Sequence, residues 1–297
     1  MFEFVKAEKN KFASFHTIYT ASNIFYRFDW NERTDSVIDC TSDQNNYFIY
    51  DDKKIIGGFS IVGNRINFPF IVTPFADRSA FWGATLKYAA ETSNDKNILL
   101  IEIPDADSEI LKKWYGATLE FSQKRMVRPT EQCIPVLNES FYFDSLLKTD
   151  KEEIIQLVYE AHAAGFTSTV WKSDIAEIKK DIEKRFNSFE QTNTLHISNT
   201  VKNKENHEIA GVCVAGIYPN AKNYSTSNFS TIHQVSVKPE YQRKGIAKAM
   251  ILKAINEATA ISPVITLGVL AGNPAEELYN KIGFIARANY STLHCTV

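Results

Sequence analysis

The stretch VSVKPEYQRKGIAKAMI, residues 235–251, decides the fold that we predict for this chain. Residues 230–237 alternate and are rich in β-branched side chains, which is typical of a strand. Apolar residues then recur at helical spacing over 245–258, so a helix with one buried face follows. Arg243, Lys244 and Gly245 stand at its start, where the helix dipole is positive and acidic residues are normally favoured. Such charge indicates either an anionic ligand or a solvated basic turn.

A strand-to-helix turn that contains glycine can form an anion site. The first N–H groups of a helix have no partner within the helix, and together with the dipole they attract anions. Gly245 has no side chain, so it allows an anion to approach the backbone closely. The P-loop pattern and the dinucleotide pattern G-x-G-x-x-G are both absent from the sequence, which disfavours a nucleoside triphosphate or NAD.

The second half of the chain alternates strands and helices around this turn. The run 263–270 predicts a buried strand, 273–284 a helix that begins near Asn273 and ends at Gly283, and 284–297 a last strand. Two amphipathic helices, 150–164 and 174–186, and a hairpin precede the strand at 230–237. This order indicates an α+β or α/β module.

The first half repeats the same order more faintly. Strands are predicted at 64–74, 97–104 and 118–129, with helices at 83–91 and 108–117. Four landmarks in the two halves are separated by nearly constant distances of 162 to 167 residues, which indicates a duplicated module. We therefore predict two domains, 1–130 and 138–297, with the boundary in the proline-containing segment 128–141.

The stretch around the turn resembles the acyl-CoA-binding motif of the GNAT superfamily of N-acetyltransferases, a strand ending V-x-P followed by [QR]-x-x-G-x-[GA]. Gln242, Gly245 and Ala247 match its fixed positions. NPAEELYNKIGF resembles the next motif of the superfamily, in which Asn273 and Tyr279 share one helix. The resemblance implies an α+β, three-layer GNAT-like fold with two tandem modules, each a mixed, mostly antiparallel sheet flanked by helices.

The resemblance also implies the cofactor site. Acetyl-CoA would be the cosubstrate, and its pantetheine arm would pair with main-chain groups of Val235 and Val237. Asn273 would contact the pantetheine or shape the groove. The coenzyme A pyrophosphate would lie on the backbone of Gln242, Arg243, Lys244, Gly245, Ile246 and Ala247.

Two side chains are candidates for the proton transfers. Tyr279 matches the tyrosine that protonates the departing thiolate as a general acid, although its helical spacing from Ala275 and Ile282 also suits a core residue. His233, on the strand at 230–237, can accept a proton near neutral pH. A lone histidine on a strand more often serves packing, so a water relay is the favoured route for the amine proton.

The first module departs from the pattern. FADRSAFW, residues 75–82, replaces the basic turn, and we interpret Phe81 and Trp82 as bulky side chains that exclude a pyrophosphate there. The first module is thus expected to be degenerate, a structural half that shapes the acceptor pocket.

Composition limits the function further. The net charge is −2, with 44% hydrophobic and 23% charged residues, which gives no reason to expect nucleic acid or membrane as a partner. The widely spaced Cys40, Cys133, Cys213 and Cys295 indicate free thiols in a reducing compartment and no metal site. We expect a cytoplasmic monomer that transfers acetyl from acetyl-CoA to a primary amine of a small molecule by direct attack in a ternary complex. The alternative is a non-catalytic acyl-CoA-binding or scaffold protein.

Overall fold

The computed structural model of the chain describes residues 2–20, 30–72, 76–217 and 229–297. The chain divides into two compact units, the first made of residues 1–124 and 287–297 and the second of residues 125–286. The last strand lies in the first unit, whereas the predicted domain 138–297 includes it. The division into domains 1–130 and 138–297 remains a prediction about the sequence modules.

The first unit is built on a mixed sheet in the order β1-β2-β3-β4-β5-β12-β6. The β4–β5 pair is parallel, whereas β1–β2, β2–β3, β3–β4 and β5–β12 are antiparallel. The strands are β1 (Glu3–Lys6), β2 (Asn46–Asp51), β3 (Lys54–Val62), β4 (Arg65–Ile71), β5 (Asn97–Pro104), β6 (Thr118–Pro129), which continues into the second unit, and β12 (Ile285–Thr296). The helices are α1 (Lys9–Tyr19), α2 (Trp30–Cys40), α3 (Arg78–Ser93) and α4 (Asp105–Tyr115).

The second unit has the sheet order β6-β11-β10-β9-β8-β7. The β10–β11 pair is parallel, whereas β10–β9, β9–β8 and β8–β7 are antiparallel. The strands are β7 (Phe141–Ser145), β8 (Asn199–Asn203), β9 (Ile209–Gly216), β10 (Phe229–Val237) and β11 (Val264–Leu270), and the helices are α5 (Lys151–Ala163), α6 (Ile175–Gln191), α7 (Ile246–Ala258) and α8 (Ala275–Lys281).

Helices cover both faces of the second sheet. Successive side chains of a strand point to opposite faces, so neighbouring residues of one strand join different cores. On β9, Cys213 and Ala215 join the core beneath α7, whereas Val212 and Val214 join the core beneath α5 and α6. Gly211 lets α7 approach β9 closely, since a Cβ there would lie 3.1 Å from Cγ2 of Ile246. The three-layer α+β architecture predicted for the fold is confirmed.

The first unit has the same layering. Tyr47 and Ile49 on β2 join the core that includes residues of α3, whereas Phe48 between them joins the core that includes residues of α1 and α2. The predicted helix 83–91 proves to be the middle of the longer helix α3. It starts earlier because the side chain of Asp77 accepts a hydrogen bond from the N–H of Ala80 and caps the helix there.

Candidate active site

The two central strands of the second unit part at the candidate site. The parallel strands β10 and β11 pair from Phe229↔Val264 to Ile232↔Leu267 and no further, although β10 continues to Val237. A bulge in the pairing of β10 with β9, between Ile232 and Gln234, lies at the same point. A bulge bends a strand and leaves one residue out of register, and here that residue is His233. We call the opening between β10 and β11 the second-unit cleft.

The backbone of β10 faces this cleft at alternate residues. The N–H of Lys238 donates to the carbonyl of Ala210 next to β9 at 2.9 Å. Because backbone groups alternate in direction along a strand, Val237 and Val235 direct theirs to the opposite side, where β11 no longer pairs. Both positions predicted to bind the pantetheine therefore lie at an open strand edge.

The turn after β10 is held in place by the hairpin of β8 and β9. Glu208 forms an ion pair with Lys238 and accepts a hydrogen bond from the hydroxyl of Tyr241 at 3.1 Å. The side-chain amide of Gln242 donates to the carbonyl of Val237 at 3.2 Å. Gln242 thus ties the turn to the strand and occupies that carbonyl, which leaves the N–H of Val237 for any partner in the cleft.

The N-terminus of α7 is open. Its cap residue, Gly245, has φ of +82°, no side chain caps the helix, and the first turn carries no acidic residue. A Cβ on Gly245 would meet nothing within 4 Å. Arg243 also has a left-handed backbone, with φ of +65°. Successive N–H groups in such a turn form a concave anion site, so the residues present fit the diphosphate of coenzyme A.

The side chains of the turn differ in what they can contribute. Arg243 is exposed, whereas the ammonium of Lys244 lies 5.1 Å from the ring centre of Tyr241 and 5.9 Å from that of Phe141. The side chain of Ile246 is buried in the core, with 1% of its surface exposed, so only its backbone can face a ligand. Ala247 is partly exposed.

In α3, the corresponding helix of the first unit, a side chain caps the N-terminus that is open in α7. Asp77 caps α3 and precedes Gly245 by 168 residues. A carboxylate at a helix N-terminus satisfies both the free N–H groups and the dipole. Phe81 and Trp82 are fully buried within α3, so the interpretation that they obstruct the turn is wrong. The capping carboxylate is the feature that differs from α7.

Tyr279 lies on α8 and packs against the core beneath α7, with its ring centre 6.2 Å from that of Phe284. Burial, with a smaller effect of Cys213, raises the pKa of Tyr279 to about 12. The phenol therefore keeps its proton at neutral pH. No hydrogen bond of this hydroxyl is found within the described residues, so both roles suggested by the sequence, core residue and proton donor, fit its position.

Asn273 acts locally as a helix cap. Its side-chain oxygen accepts a hydrogen bond from the N–H of Ala275 at 2.9 Å, and its carbonyl accepts one from Glu276 at 3.0 Å. At the other end of α8 the buried guanidinium of Arg128 donates to the carbonyl of Ile282. Both contacts fix α8, and with it Tyr279. A direct contact of Asn273 with the cofactor remains a prediction.

His233 belongs to a charged cluster on the helical face formed by α5 and α6. Its Nε2 lies 2.6 Å from Oδ2 of Asp181. Arg185 donates from Nη2 and Nε to Oδ1 of that aspartate at 2.9 and 3.2 Å, and the same Nε lies 3.0 Å from Nε2 of His233. The sequence did not single out Asp181 and Arg185. Their i,i+4 spacing on a helix was the one available signal, and it indicates only an ion pair.

Protonation in this cluster follows from burial and charge. Burial has the largest single effect on Asp181 and raises its pKa, but His233 and Arg185 outweigh it and lower the pKa to about 2. Burial lowers the pKa of His233, helped by the charges of Arg185 and Arg125 and opposed by Asp181. Near neutral pH, Asp181 is thus an anion beside a neutral imidazole, and Nε2 of that imidazole lies within hydrogen-bond distance of both Asp181 and Arg185.

Arg125 on β6 extends over β11 beside this cluster. A Cβ on Gly268 would lie 2.6 Å from Nη1 of Arg125, so the missing side chain makes room for the guanidinium. Gly268 is exposed although its neighbours Leu267 and Val269 are buried. Arg125 therefore adds positive charge where β10 and β11 part. No local sequence pattern indicates this contact, because β6 and β11 are distant along the chain.

No helix of the described residues is long and apolar enough to cross a membrane. Within the same residues, no three His, Cys, Asp or Glu side chains are grouped so as to hold a metal ion.

Comparison with known proteins gives one family match. Residues 143–284 match the model of the acetyltransferase (GNAT) family. That segment covers the second-unit cleft, the basic turn and Tyr279. No curated protein sequence matches the chain significantly.

Solved structures share the fold over nearly the whole chain. A GCN5-related N-acetyltransferase from Sphaerobacter thermophilus is 12% identical, with a TM-score of 0.71 over 99% of this chain and 95% of that one. A tandem GNAT protein from the clavulanic acid biosynthesis pathway is 10% identical, with a TM-score of 0.60 over 100% and 98%. A GNAT-family acetyltransferase from Colwellia psychrerythraea is 9% identical, with a TM-score of 0.58 over both whole chains. At these identities the likeness shows the fold alone.

Proposed function

We propose that this chain, whose residues 143–284 match the model of the acetyltransferase (GNAT) family, transfers an acetyl group from acetyl-CoA to the primary amine of a small molecule by direct attack in a ternary complex. The observation that carries the proposal is the open strand edge of β10, which leads directly into the uncapped N-terminus of α7. The open edge of β10 suits the extended pantetheine arm of the cosubstrate, and the N-terminus of α7 suits its diphosphate.

The N-terminus of α7 supports binding of the cosubstrate. The free N–H groups from Arg243 to Ala247 can donate to phosphate oxygens, and the positive end of the helix dipole adds to the attraction. Arg243 and Lys244 are exposed cations beside them, and neither forms an ion pair within the described residues. Val235 and Val237 offer N–H groups at the open edge of β10, where an extended arm can add as a strand does.

The reaction requires two proton movements and stabilisation of one oxygen. When the cosubstrate is bound it supplies a thioester, whose acyl carbon gains a bond to the amine nitrogen while the bond to sulfur breaks. An N–H at the β10 edge can hold the acyl oxygen as negative charge develops on it. The nitrogen must lose a proton and the sulfur must gain one.

Tyr279 is the proposed proton donor to sulfur. With a pKa of about 12 its phenol is protonated at neutral pH, and a positioned acid speeds departure of the thiolate. The contacts of α8 with Arg128 and Asn273 hold the tyrosine in place.

His233 is the proposed acceptor of the amine proton. Its link to Asp181 resembles the carboxylate–histidine pairs in which the acid fixes the tautomer and stabilises the imidazolium. This arrangement strengthens the case for His233 beyond that of a lone strand histidine. A water relay is the second candidate, and substitution of His233 distinguishes the two.

The test is release of coenzyme A thiol from acetyl-CoA by the full chain, measured against a broad panel of amines and amino acids. The proposal predicts release that depends on both acetyl-CoA and one class of amine. If acetyl-CoA binds but no amine provokes thiol release, the non-catalytic acyl-CoA-binding protein is the better account. If acetyl-CoA does not stabilise the protein in a thermal-shift assay, both accounts fail.

A further inference from the structure

The first unit keeps a cleft between its central strands. The parallel strands β4 and β5 pair at Arg65↔Leu99 and Ile66↔Leu100 and then part, although β4 continues to Ile71 and β5 to Pro104. We call this opening the first-unit cleft. It repeats the splitting of β10 and β11, whereas the capped helix α3 does not repeat the open anion site of α7.

Both strands adopt an unusual backbone immediately beyond the split. Phe68 on β4 has φ of +51°, and Glu102 on β5 has φ of +55°. Left-handed conformations of residues other than glycine cost roughly 1–2 kcal/mol each and cluster at binding and active sites. Two such residues facing one opening indicate that the cleft is shaped for a ligand.

The backbone of Phe68 places its ring between two polar groups. The guanidinium of Arg33, on α2, lies 6.0 Å from the ring centre of Phe68. The imidazole of His16, on α1, meets the same ring edge-on with the two centres 5.6 Å apart. Phe68 therefore forms an apolar wall along which a cation and an imidazole are arranged.

A small cavity opens among these side chains. It has a volume of about 20 Å³ and is lined by His16, Arg33, Phe68 and Glu102, with Thr20 and the prolines of β4 and β5 completing it. A cavity of this size holds one water-sized polar group. The rest of a larger ligand has to extend out of the cavity.

His16 brings an unsatisfied polar atom to the cavity. Only 2% of its surface is exposed, and its Nδ1 is buried without a hydrogen-bond partner among the described residues. A buried polar group without a partner costs about 1–3 kcal/mol, so a ligand or a water that forms a hydrogen bond with Nδ1 of His16 would stabilise the protein. Burial and the charge of Arg33 lower the pKa of His16 well below its usual value, which keeps the imidazole neutral in the free protein.

The charges at the cavity are of both signs. Arg33 is 6% exposed and supplies a buried positive charge, in addition to its other contacts. Glu102 is partly exposed, and no hydrogen bond or ion pair of its carboxylate is found among the described residues. A carboxylate on a ligand is attracted to Arg33, whereas an ammonium group is attracted to Glu102.

We propose that the first-unit cleft binds a small zwitterion, a molecule of the α-amino-acid type, with its carboxylate at Arg33 and His16 and its ammonium group at Glu102. The cleft is a ligand site in the half of the chain whose α3 turn has no open anion site. Binding of the zwitterion requires neither acetyl-CoA nor catalysis in the second unit, so this proposal is tested independently of acetyl transfer.

The experiment is an NMR titration of the full chain, labelled with ¹³C in the histidine rings, without acetyl-CoA. The probe is L-alanine, compared with propionate, which lacks the ammonium group, and ethylamine, which lacks the carboxylate. The His16 resonance is assigned from its loss in His16→Gln. The proposal predicts a saturable shift of that resonance by alanine, with affinity at least about tenfold weaker for each of the other two, as expected when a charge-assisted contact is lost.

A second variant keeps the test independent of the folding of His16→Gln. Glu102→Gln, at a partly exposed position, should weaken alanine binding at least about tenfold, whereas Glu91→Gln on the exposed side of α3 should leave it unchanged. An unchanged His16 resonance at saturating alanine overturns the proposal and leaves a site for water only. Equal binding of propionate, or full alanine affinity in Glu102→Gln, overturns it as well.

Discussion

At the scale of single residues, Tyr279 combines a packed ring with a protonated hydroxyl. Its ring belongs to the core beneath α7, and burial raises its pKa to about 12. A hydroxyl without a hydrogen bond among the described residues is not required for packing, so its removal tests catalysis with little effect on the fold.

Tyr279→Phe should slow acetyl transfer about 10²-fold, within the range for loss of a general acid, and leave the affinity for acetyl-CoA unchanged. Steady-state thiol release and a binding titration measure the two effects. Tyr50→Phe, on β2 of the first unit, is the matched control and should be fully active. Equal rates for Tyr279→Phe and the control would remove Tyr279 from the mechanism.

The contact between His233 and Asp181 predicts how kcat/KM depends on pH. Because burial lowers the pKa of His233, the neutral imidazole persists below pH 6.5, and kcat/KM should fall only at more acidic pH. Asp181 raises the pKa of His233, so Asp181→Asn should move the acidic limb of the pH–rate profile to lower pH still. The profile from pH 4.5 to 8.5 measures both.

His233→Gln separates the histidine from the water relay. Loss of activity together with the acidic limb would support His233 as base. Full activity with an unchanged profile would assign the proton to water. His196→Gln, a histidine outside the cluster, is the control.

Which site residues were predictable depends on how local their signal is. Gly245 and Tyr279 lie in short motifs, so the sequence alone identified them. Asp181 and Arg125 come from a helix and a strand far from His233 along the chain. Contacts of that kind arise from tertiary packing and leave no pattern in the neighbouring residues.

At the scale of elements, helices α3 and α7 differ in how the free N–H groups at their N-termini are satisfied. Each starts behind a central strand and has free N–H groups at its first turn. In α3 the side chain of Asp77 accepts one of them, whereas α7 begins at Gly245 without a cap. The structure thus places a carboxylate in one unit where we propose a diphosphate in the other.

Asp77→Ala should lower the free energy of unfolding by about 1 kcal/mol, as for other N-cap removals, without changing the affinity of the second unit for acetyl-CoA. Chemical denaturation and a binding titration measure the two quantities. A loss of acetyl-CoA affinity in this variant would contradict the assignment of Asp77 to capping alone.

The start of α3 also shows where prediction of elements from sequence stops. The strands at 97–104 and 118–129 were predicted to the residue, because continuous apolar or alternating runs mark them clearly. The helix at 83–91 was predicted too short, because Phe81 and Trp82 suggested a loop obstruction instead of a buried first turn. Asp77 was the overlooked signal, since aspartate is a preferred N-cap.

At the scale of the whole molecule, the C-terminal strand joins the unit that the chain begins with. Residues 287–297 belong to the first unit, and β12 pairs with β5 from Tyr290↔Pro104 to Thr296↔Asn97. Leu293 is fully buried in the same core as Trp82. The sequence predicted this strand, but its partner lies almost two hundred residues away and could not be identified from local pattern.

Leu293→Ala should therefore destabilise the first unit, by about 2–5 kcal/mol. Hydrogen exchange should show lost protection in β2 to β5, with the strands of the second unit affected less. Ile285→Ala on the same strand is the control and should be nearly neutral, because 59% of Ile285 is exposed. Lost protection mainly in β8 to β10 would contradict the assignment of β12 to the first unit.

The central claim is that the N-terminus of α7 binds the diphosphate of acetyl-CoA, and calorimetric titration of acetyl-CoA into the full chain and into Gly245→Asp tests it most directly. The variant places a carboxylate where Asp77 stands in α3, and circular dichroism checks that it is folded. The account predicts one site in the native chain that weakens with added salt, and at least about tenfold weaker binding in the variant. No binding to the native chain, or equal affinity in both proteins, would contradict it.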